Sequence, residues 1–300
     1  MSLIFPSRRI AIALGTLAAT LLTALPVADA QSSALSSGSS GLTGSSTGYP
    51  AITPDHTTPL QVGGREALIS LPEDYDPALT YPVLLAFGGY GVSPEQMSSD
   101  TGLQNASDAI VAYARGFNNA WAGAPYSAST MEEDIDFARQ IVDALAAEHL
   151  IDRSRIYAIG HSNGGAFAIG LACRAPDLLA GAVSVSGMFY EGIDSDAACL
   201  GSPVPVMLIH ATNDNVARPE GGVWRERNVD STASVLQRWA HRNVCLSETE
   251  EKFTFAPDST HTSWVGCQSD TEYLLSNSAG HGWPHHAPFE AWDFLSRQSR

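Results

Sequence analysis

Short, almost wholly apolar runs alternate along the chain with longer segments in which apolar residues recur every three or four positions. The run 81–87, Tyr-Pro-Val-Leu-Leu-Ala-Phe, is typical of a strand buried on both faces. Within 131–150 the apolar side chains share one face of a predicted helix. Further strands are predicted at 66–71, 109–113, 155–159, 180–185, 204–209 and 272–275, and further helices at 166–173, 231–241 and 288–297. Because strands and helices alternate, the pattern predicts a mostly parallel sheet flanked by helices.

The first 30 residues have the pattern of an export signal. Arg8 and Arg9 precede an apolar run at 10–25, and an Ala-Asp-Ala cleavage site ends at Ala30. A membrane anchor is the alternative, but the run is shorter than the roughly 20 apolar residues that span a bilayer. The next stretch is rich in Ser, Gly and Thr, which is typical of a flexible linker. We therefore expect a signal peptide at 1–30, a linker at 31–55 and one folded domain at 56–300.

Composition and charge narrow the possible partners. The chain has 300 residues, is 44% hydrophobic and carries a formal net charge of −16, which suits one large folded domain. Loss of the expected leader removes Arg8, Arg9 and Asp29, leaving 14 basic and 31 acidic residues and a net charge of −17. Such a surface repels nucleic acid and anionic lipid. We therefore expect no nucleic-acid partner and no stable membrane insertion once the signal peptide is cleaved.

The cysteines form an even set of four, Cys173, Cys199, Cys245 and Cys267. In an exported protein this indicates two disulfides, with three possible pairings. Joining sequence neighbours, Cys173 to Cys199 and Cys245 to Cys267, is the simplest choice. A zinc site is the alternative, but no CxxC or CxxH spacing supports it.

The most informative segment is 160–165, Gly-His-Ser-Asn-Gly-Gly, which fits the pattern G-x-S-x-G. A predicted buried strand precedes it and a helix of small residues follows, so the chain must turn sharply at Ser162. Glycines at 160 and 164 have no Cβ to clash where the strand and helix converge. A chance match in a Ser- and Gly-rich chain is the alternative. The strand–turn–helix context favours a nucleophilic serine in an α/β-hydrolase fold.

A serine hydroxyl needs an adjacent base, normally an oriented histidine. In this fold the chain order is serine, then aspartate or glutamate, then histidine. His281 lies in a Gly-His-Gly-Trp-Pro loop beyond the last predicted strand, and Asp214 follows the predicted strand 204–209. We expect these two as base and orienting acid. Asp194 and Asp196 are alternatives for the acid, although both precede that strand.

The other histidines of the carboxyl-terminal half suggest no further chemistry. We expect His210 beneath the site, His241 on a helix surface and His261 in a loop. His285 and His286 follow His281 closely, but no carboxylate accompanies them at metal-ligand spacing. We therefore expect no metal and no cofactor.

Backbone N–H groups are the expected donors to an oxyanion. The Asn163 N–H lies at the start of the helix after Ser162, and the Gly89 N–H lies in the Gly-Gly-Tyr-Gly loop after the strand 81–87. Aromatic residues of the neighbouring predicted loops either line an apolar pocket or pack in the core: Tyr90, Trp121, Tyr126, Phe189 and Trp283.

With these residues in place, the chain resembles the secreted polyhydroxybutyrate-depolymerase-like and feruloyl-esterase-like hydrolases of the carbohydrate esterase 1 type. The resemblance runs over about 65–295, and its matching segments are 81–85, 134–137, 160–165, 171–173, 209–214 and 280–284. It implies that Asp214 and His281 are catalytic and that disulfides form, one of them from Cys173. Relatives have His-Gly where this chain has Phe-Gly at 87–88, a departure that we expect to reshape the acyl pocket.

The resulting hypothesis is a secreted serine hydrolase that cleaves a carboxylic ester through an acyl-enzyme. A polyester, a feruloyl sugar or a short-chain acyl ester would each serve as its substrate. An acyltransferase of the cell envelope on the same fold would form the same acyl-enzyme. A peptidase of related architecture and a non-catalytic binding protein are the remaining alternatives, and the intact set Ser162, Asp214 and His281 argues against the last.

Overall fold

A ten-stranded sheet runs through residues 57–300, the part of the chain that the computed structural model describes. In chain order its strands are β1 Thr57–Val62, β2 Arg65–Ser70, β3 Tyr81–Phe87, β4 Ile110–Ala114, β5 Ile151–His161, β6 Gly181–Val185, β7 Val206–Ala211, β10 Thr249–Lys252, β11 Ser259–Trp264 and β12 Thr271–Ser276. The remaining elements are the hairpin β8 Gly222–Trp224 and β9 Arg227–Val229, and the helices α1 Pro94–Thr101, α2 Leu103–Ala106, α3 Met131–Glu148, α4 Asn163–Arg174, α5 Thr232–Arg242 and α6 Ala287–Ser296.

Six central strands are parallel, in the order β4-β3-β5-β6-β7-β12. This confirms the predicted mostly parallel sheet. Antiparallel pairs extend both edges, β1 with β2 on one side and β10 with β11 on the other. The sequence patterns did not predict β1, β10 or β11. A signal for β1 was present, since Gly63 and Gly64, with φ of 61° and 74°, form a two-residue hairpin turn between β1 and β2.

The sheet is buried on both faces because its side chains alternate between two cores. Along β3, Val83 and Leu85 pack into the core beneath α3, α4 and α5. Leu84 and Ala86 pack into the opposite core, which α1, α2 and α6 cover. The near-continuous apolar runs of the sequence are thus explained by burial from both sides.

Local chemistry accounts for the differences at element ends. Helix α3 begins with a capping box between Thr130 and Glu133 and ends at Glu148, two residues earlier than expected. It ends there because the Leu150 carbonyl accepts the Tyr81 N–H and the chain enters β5. Strand β7 begins after Pro205, which has no N–H for the sheet.

The prediction that His261 lies in a loop is wrong, because it lies in β11 with its ring hydrogen-bonded to Glu272.

Two disulfides cross-link the chain, Cys173–Cys199 and Cys245–Cys267. This is the predicted pairing of sequence neighbours. Within 57–300, none of the helices combines the length and apolar character needed to cross a membrane. The expected signal peptide at 1–30 and linker at 31–55 lie outside the described residues, so the domain boundaries stay predictions.

Candidate active site

The candidate residues meet at one edge of the sheet because they follow strands that run in the same direction. Ser162 follows β5, Asp214 follows β7 and His281 follows β12, while Gly89 follows β3. The carboxyl ends of parallel strands lie at a common edge, where ligands of open α/β sheets bind. Residues separated by more than one hundred positions in sequence are therefore neighbours in space.

The turn that carries Ser162 is tight and strained. Ser162 has φ of 53° and ψ of −115°, a conformation that non-glycine residues rarely adopt. A Cβ on Gly160 would lie 2.1 Å from the Gly164 carbonyl oxygen, and one on Gly164 would lie 2.1 Å from that of Phe87. Both positions therefore require glycine, as expected for strand β5 turning directly into helix α4. The turn leaves the Ser162 hydroxyl at the sheet edge.

Three side chains form a hydrogen-bonded series across this edge. The His281 Nε2 atom lies 2.9 Å from Ser162 Oγ, and the His281 Nδ1 atom lies 2.8 Å from Asp214 Oδ2. With the Nδ1–H donated to the carboxylate, Nε2 is free to accept the serine proton. This is the geometry that a general base needs beside a nucleophile.

The Asp214 carboxylate is held from several directions and its side chain is fully buried. Oδ1 accepts the N–H groups of Val216 and Ala217, at 2.8 and 2.9 Å. Burial alone would raise the pKa of Asp214, but hydrogen bonds from His210, His281 and the Val216 N–H outweigh it, so the pKa lies well below its usual range. The group is therefore an anion at neutral pH. His210 packs beneath the site as expected, with Nε2 2.6 Å from the Ala217 carbonyl oxygen.

Two hydrogen bonds that our sequence reasoning missed fix the loop of His281. The Gly280 N–H donates to Asn213 Oδ1 at 2.8 Å, and His161 Nε2 lies 2.9 Å from the His281 carbonyl oxygen. Because a carbonyl only accepts, His161 Nε2 carries a proton. Burial, aided by the nearby His281, lowers the pKa of His161 to about 4, so this ring is neutral at pH 7. The sequence did offer a signal for these partners, because Asn213 is adjacent to Asp214 and His161 is adjacent to Ser162.

Trp121 links the two loops that carry the expected oxyanion donors. Its backbone N–H donates to Asn163 Oδ1 at 2.7 Å and its carbonyl accepts from Asn163 Nδ2 at 3.1 Å. Its indole N–H donates to the Gly88 carbonyl at 3.0 Å. A Cβ on Gly89 would lie 3.4 Å from Ser162 Cβ, so the backbone of this loop passes close to the serine. Among the hydrogen bonds of residues 57–300, neither the Gly89 nor the Asn163 N–H has an acceptor.

Phe87, the residue at which this chain departs from the family pattern, belongs to the core. It is fully buried, and its ring packs edge-on against Trp121 and Phe167, with 4.9 Å between ring centroids in each pair. It is not among the residues that line the cleft at Ser162. The expectation that this departure reshapes the acyl pocket therefore stays a prediction.

An open cleft of about 320 Å³ lies over Ser162 and His281. Tyr90 and Tyr126 line it, with ring centroids 4.2 Å apart. Of the other aromatic candidates, Trp121 and Phe189 are buried in the core, and Trp283 packs against the core on the α6 side of the sheet. The cleft lining also contains residues that our sequence analysis did not single out: Val92, His161, Met188, Val216, Trp224 and Arg225.

The alternatives for the acid have structural partners elsewhere. Asp194 is buried and ion-paired with Arg238 and Arg242, and Asp196 pairs with Arg242 on the surface. Across residues 57–300, no group of three or more His, Cys, Asp or Glu side chains is arranged to hold a metal ion.

Fold and side-chain arrangement together define the α/β-hydrolase class: a parallel sheet covered by helices, with serine, histidine and aspartate in series at the carboxyl edge. A family model described as phospholipase/carboxylesterase matches residues 123–223.

Known proteins resemble this chain in sequence and in structure. NocK of Nocardia uniformis subsp. tsuyamanensis, which is named as an esterase, is 30% identical over 230 residues, covering 68% of this chain and 65% of NocK. Feruloyl esterase C of Emericella nidulans is 24% identical over 250 residues, covering 78% of this chain and 85% of the relative. The ferulic acid esterase of Anaeromyces mucronatus superposes with a TM-score of 0.56 at 14% identity, covering 84% of this chain and 93% of that structure. The chain therefore has the α/β-hydrolase fold and is similar in sequence to esterases.

Proposed function

We propose that the protein is a serine hydrolase of carboxylic esters in which Ser162, His281 and Asp214 are the catalytic residues. The observation that carries the proposal is the pair of hydrogen bonds that joins Ser162 Oγ to His281 and His281 to Asp214, at 2.9 and 2.8 Å. Similarity to the esterases described above supports the same reaction.

Ser162 Oγ attacks the ester carbonyl carbon while His281 Nε2 takes the hydroxyl proton. The tetrahedral intermediate collapses, the carbon–oxygen bond to the alcohol breaks, and the His281 proton goes to the departing alcohol. His281 then takes a proton from water, which attacks the acyl-enzyme. The acid leaves and the proton returns to Ser162. Asp214 holds the Nδ1–H tautomer throughout and stabilises the imidazolium.

The N–H groups of Gly89 and Asn163 bind the oxyanion in this proposal. Their lack of a protein acceptor and the closeness of Gly89 to Ser162 support the assignment. The Asn163 N–H also lies at the amino end of the twelve-residue helix α4, where the helix dipole favours negative charge. Trp121 fixes the distance between the two donors.

The test is a panel of aryl and alkyl esters with wild type, Ser162→Ala and Thr260→Ala. Thr260 is exposed on β11 and is not part of the lining of the cleft at Ser162, and its substitution also removes a hydroxyl group. We expect wild type and Thr260→Ala to hydrolyse at least one ester and Ser162→Ala to lose more than 99% of the rate. A fluorophosphonate probe is expected to label wild type at Ser162 only. Full activity in Ser162→Ala would overturn the mechanism.

We also propose that the protein acts outside the cytoplasm. The expected signal peptide and the two disulfides support this, because disulfides persist in oxidising compartments. Mass spectrometry of the protein recovered from the culture medium tests it. We expect an amino terminus just after Ala30; recovery only from the cytoplasm, with the leader intact, would contradict it.

A further inference from the structure

The cleft at Ser162 is bordered by positive charge in a strongly acidic protein. Among residues 57–300, the ion pairs leave five cationic side chains without a carboxylate partner. Arg174 and Arg300 donate hydrogen bonds to backbone carbonyls of Gly192 and Arg153. The remaining three are Arg218, Arg225 and Arg227, which lie together in the segment that borders the cleft.

Two of these arginines line neighbouring cavities that share a wall. Arg225 lines the cleft over Ser162. Arg218 lines a second cleft of about 280 Å³, on the other side of Trp224. Met188, Val216 and Trp224 line both, so the two arginines face adjoining spaces. Neither lining contains an acidic residue; Glu220 and Glu226 belong to the same segment but line neither cleft.

The hairpin β8–β9 fixes where Arg225 lies. Arg225 and Glu226 form its two-residue turn with φ of 48° and 63°, positions that glycine and asparagine normally take. The base of the hairpin is tied to the segment after Ser186 by the Glu191 N–H to the Asn228 carbonyl, at 3.0 Å, and by the Asp230 N–H to the Phe189 carbonyl, at 2.7 Å. The Arg225 guanidinium lies 5.7 Å from the Tyr126 ring centroid, at the wall of the cleft.

From this arrangement we propose that the substrate is an ester that carries a carboxylate close to its scissile bond, and that Arg225 binds that carboxylate while Arg218, in the adjoining cleft, adds positive charge nearby. The inference rests on the proposed esterase activity and names its substrate class. A net charge of −16 repels anionic substrates at long range. Arginines left unpaired at the cleft reverse that repulsion locally, and a guanidinium matches a carboxylate through two parallel N–H donors.

The carboxylate can belong to either half of the ester, and matched probes distinguish the two. On the alcohol side, 4-acetoxybenzoate is compared with its neutral amide, 4-acetoxybenzamide. On the acyl side, the mono-4-nitrophenyl ester of adipic acid is compared with 4-nitrophenyl adipamate. Each pair differs in one charge and hardly in size.

We expect the carboxylate member of one pair to have a kcat/KM about fivefold higher than its amide at low ionic strength, through a lower KM. The preference should fall in about 0.5 M NaCl because exposed charges are then screened. Arg225→Gln should remove most of the preference for the carboxylate member over its neutral partner, and Arg218→Gln with Arg225→Gln should remove all of it. Arg153→Gln is the matched control, since this exposed arginine lies near the amino-terminal end of β5, whereas Ser162 follows the carboxyl-terminal end of the same strand.

Suppose that Ser162 hydrolyses the ester bond of the two amide-bearing probes and shows no preference for either carboxylate-bearing probe. That result would overturn this inference and leave the proposed function standing. A preference that survives in the double variant would overturn it as well. The proposed function would fail together with the inference if Ser162 were needed for hydrolysis of none of these four esters and of no ester in the panel described above.

Discussion

Replacing Asp214 by asparagine tests the proposed mechanism most sharply, because the change conserves shape while it removes the negative charge and exchanges one acceptor oxygen for a donor NH₂ group. In the native site Oδ1 accepts two backbone N–H groups, from Val216 and Ala217, while Oδ2 accepts the His281 Nδ1–H. An asparagine has one oxygen. If that oxygen serves the two N–H groups, the amide NH₂ faces His281 and donates to Nδ1.

The flipped amide is the costlier arrangement. It would leave two buried N–H groups facing an NH₂ group, at roughly 1–3 kcal/mol for each lost acceptor. The favoured arrangement puts the His281 proton on Nε2, which then faces Ser162 Oγ as a donor and cannot accept its proton. The same change in a serine-protease triad lowers kcat about ten-thousandfold, equivalent to about 5.4 kcal/mol of transition-state stabilisation. We expect a loss of similar size here.

The assay is kcat for an activated aryl ester at pH 7 with wild type, Asp214→Asn and Asp143→Asn. Asp143 is exposed and pairs with Arg153 on the surface of the domain, so its variant controls for the loss of one negative charge. Urea unfolding of each variant checks that the fold is retained. If folded Asp214→Asn kept more than about a tenth of the wild-type kcat, the tautomer argument would be wrong.

Two further predictions concern the turn and its neighbour. Gly164→Ala places a Cβ 2.1 Å from the Phe87 carbonyl oxygen, so we expect a loss of about 1–3 kcal/mol in unfolding free energy and a displaced oxyanion loop with lower kcat. Gly170→Ala on the same helix meets only side-chain atoms of Ile193 and Met131, at 3.0 Å or more, and is the control; equal stability of the two variants would refute the steric argument. Burial lowers the pKa of His161 from 6.5 to about 4, so between these values the unfolded chain binds a proton that the folded chain does not, and stability falls as pH drops through this window. His161→Gln keeps a donor for the His281 carbonyl and should show a shallower fall in urea-unfolding free energy between pH 7 and 4, whereas parallel curves would show that His161 does not contribute.

Local patterns in the sequence predicted the central strands and the turn at Ser162. Apolar runs predicted the central strands because burial on both faces leaves no polar positions, and β3 begins and ends where its run does. The turn at Ser162 was predictable because glycines at 160 and 164 report a steric demand within a few residues. Chain order then restricted the choice of Asp214 and His281.

Long-range packing decided the rest. The edge strands β10 and β11 are polar and partly exposed, so no apolar run marks them, and His261 was assigned to a loop for that reason. The same holds for the hairpin that brings Trp224 and Arg225 to the cleft, since its residues are almost all exposed.

What the sequence by itself determined is therefore the fold class and the chemical identity of the candidate residues, because strand burial and a sharp turn leave marks on neighbouring positions. What only the tertiary structure decided is the shape and charge of the cleft. The bond between His281 and Ser162 spans 119 positions and that between Trp121 and Asn163 spans 42. Contacts of this length arise from the order of strands in the sheet, and no local pattern of polar and apolar residues encodes them.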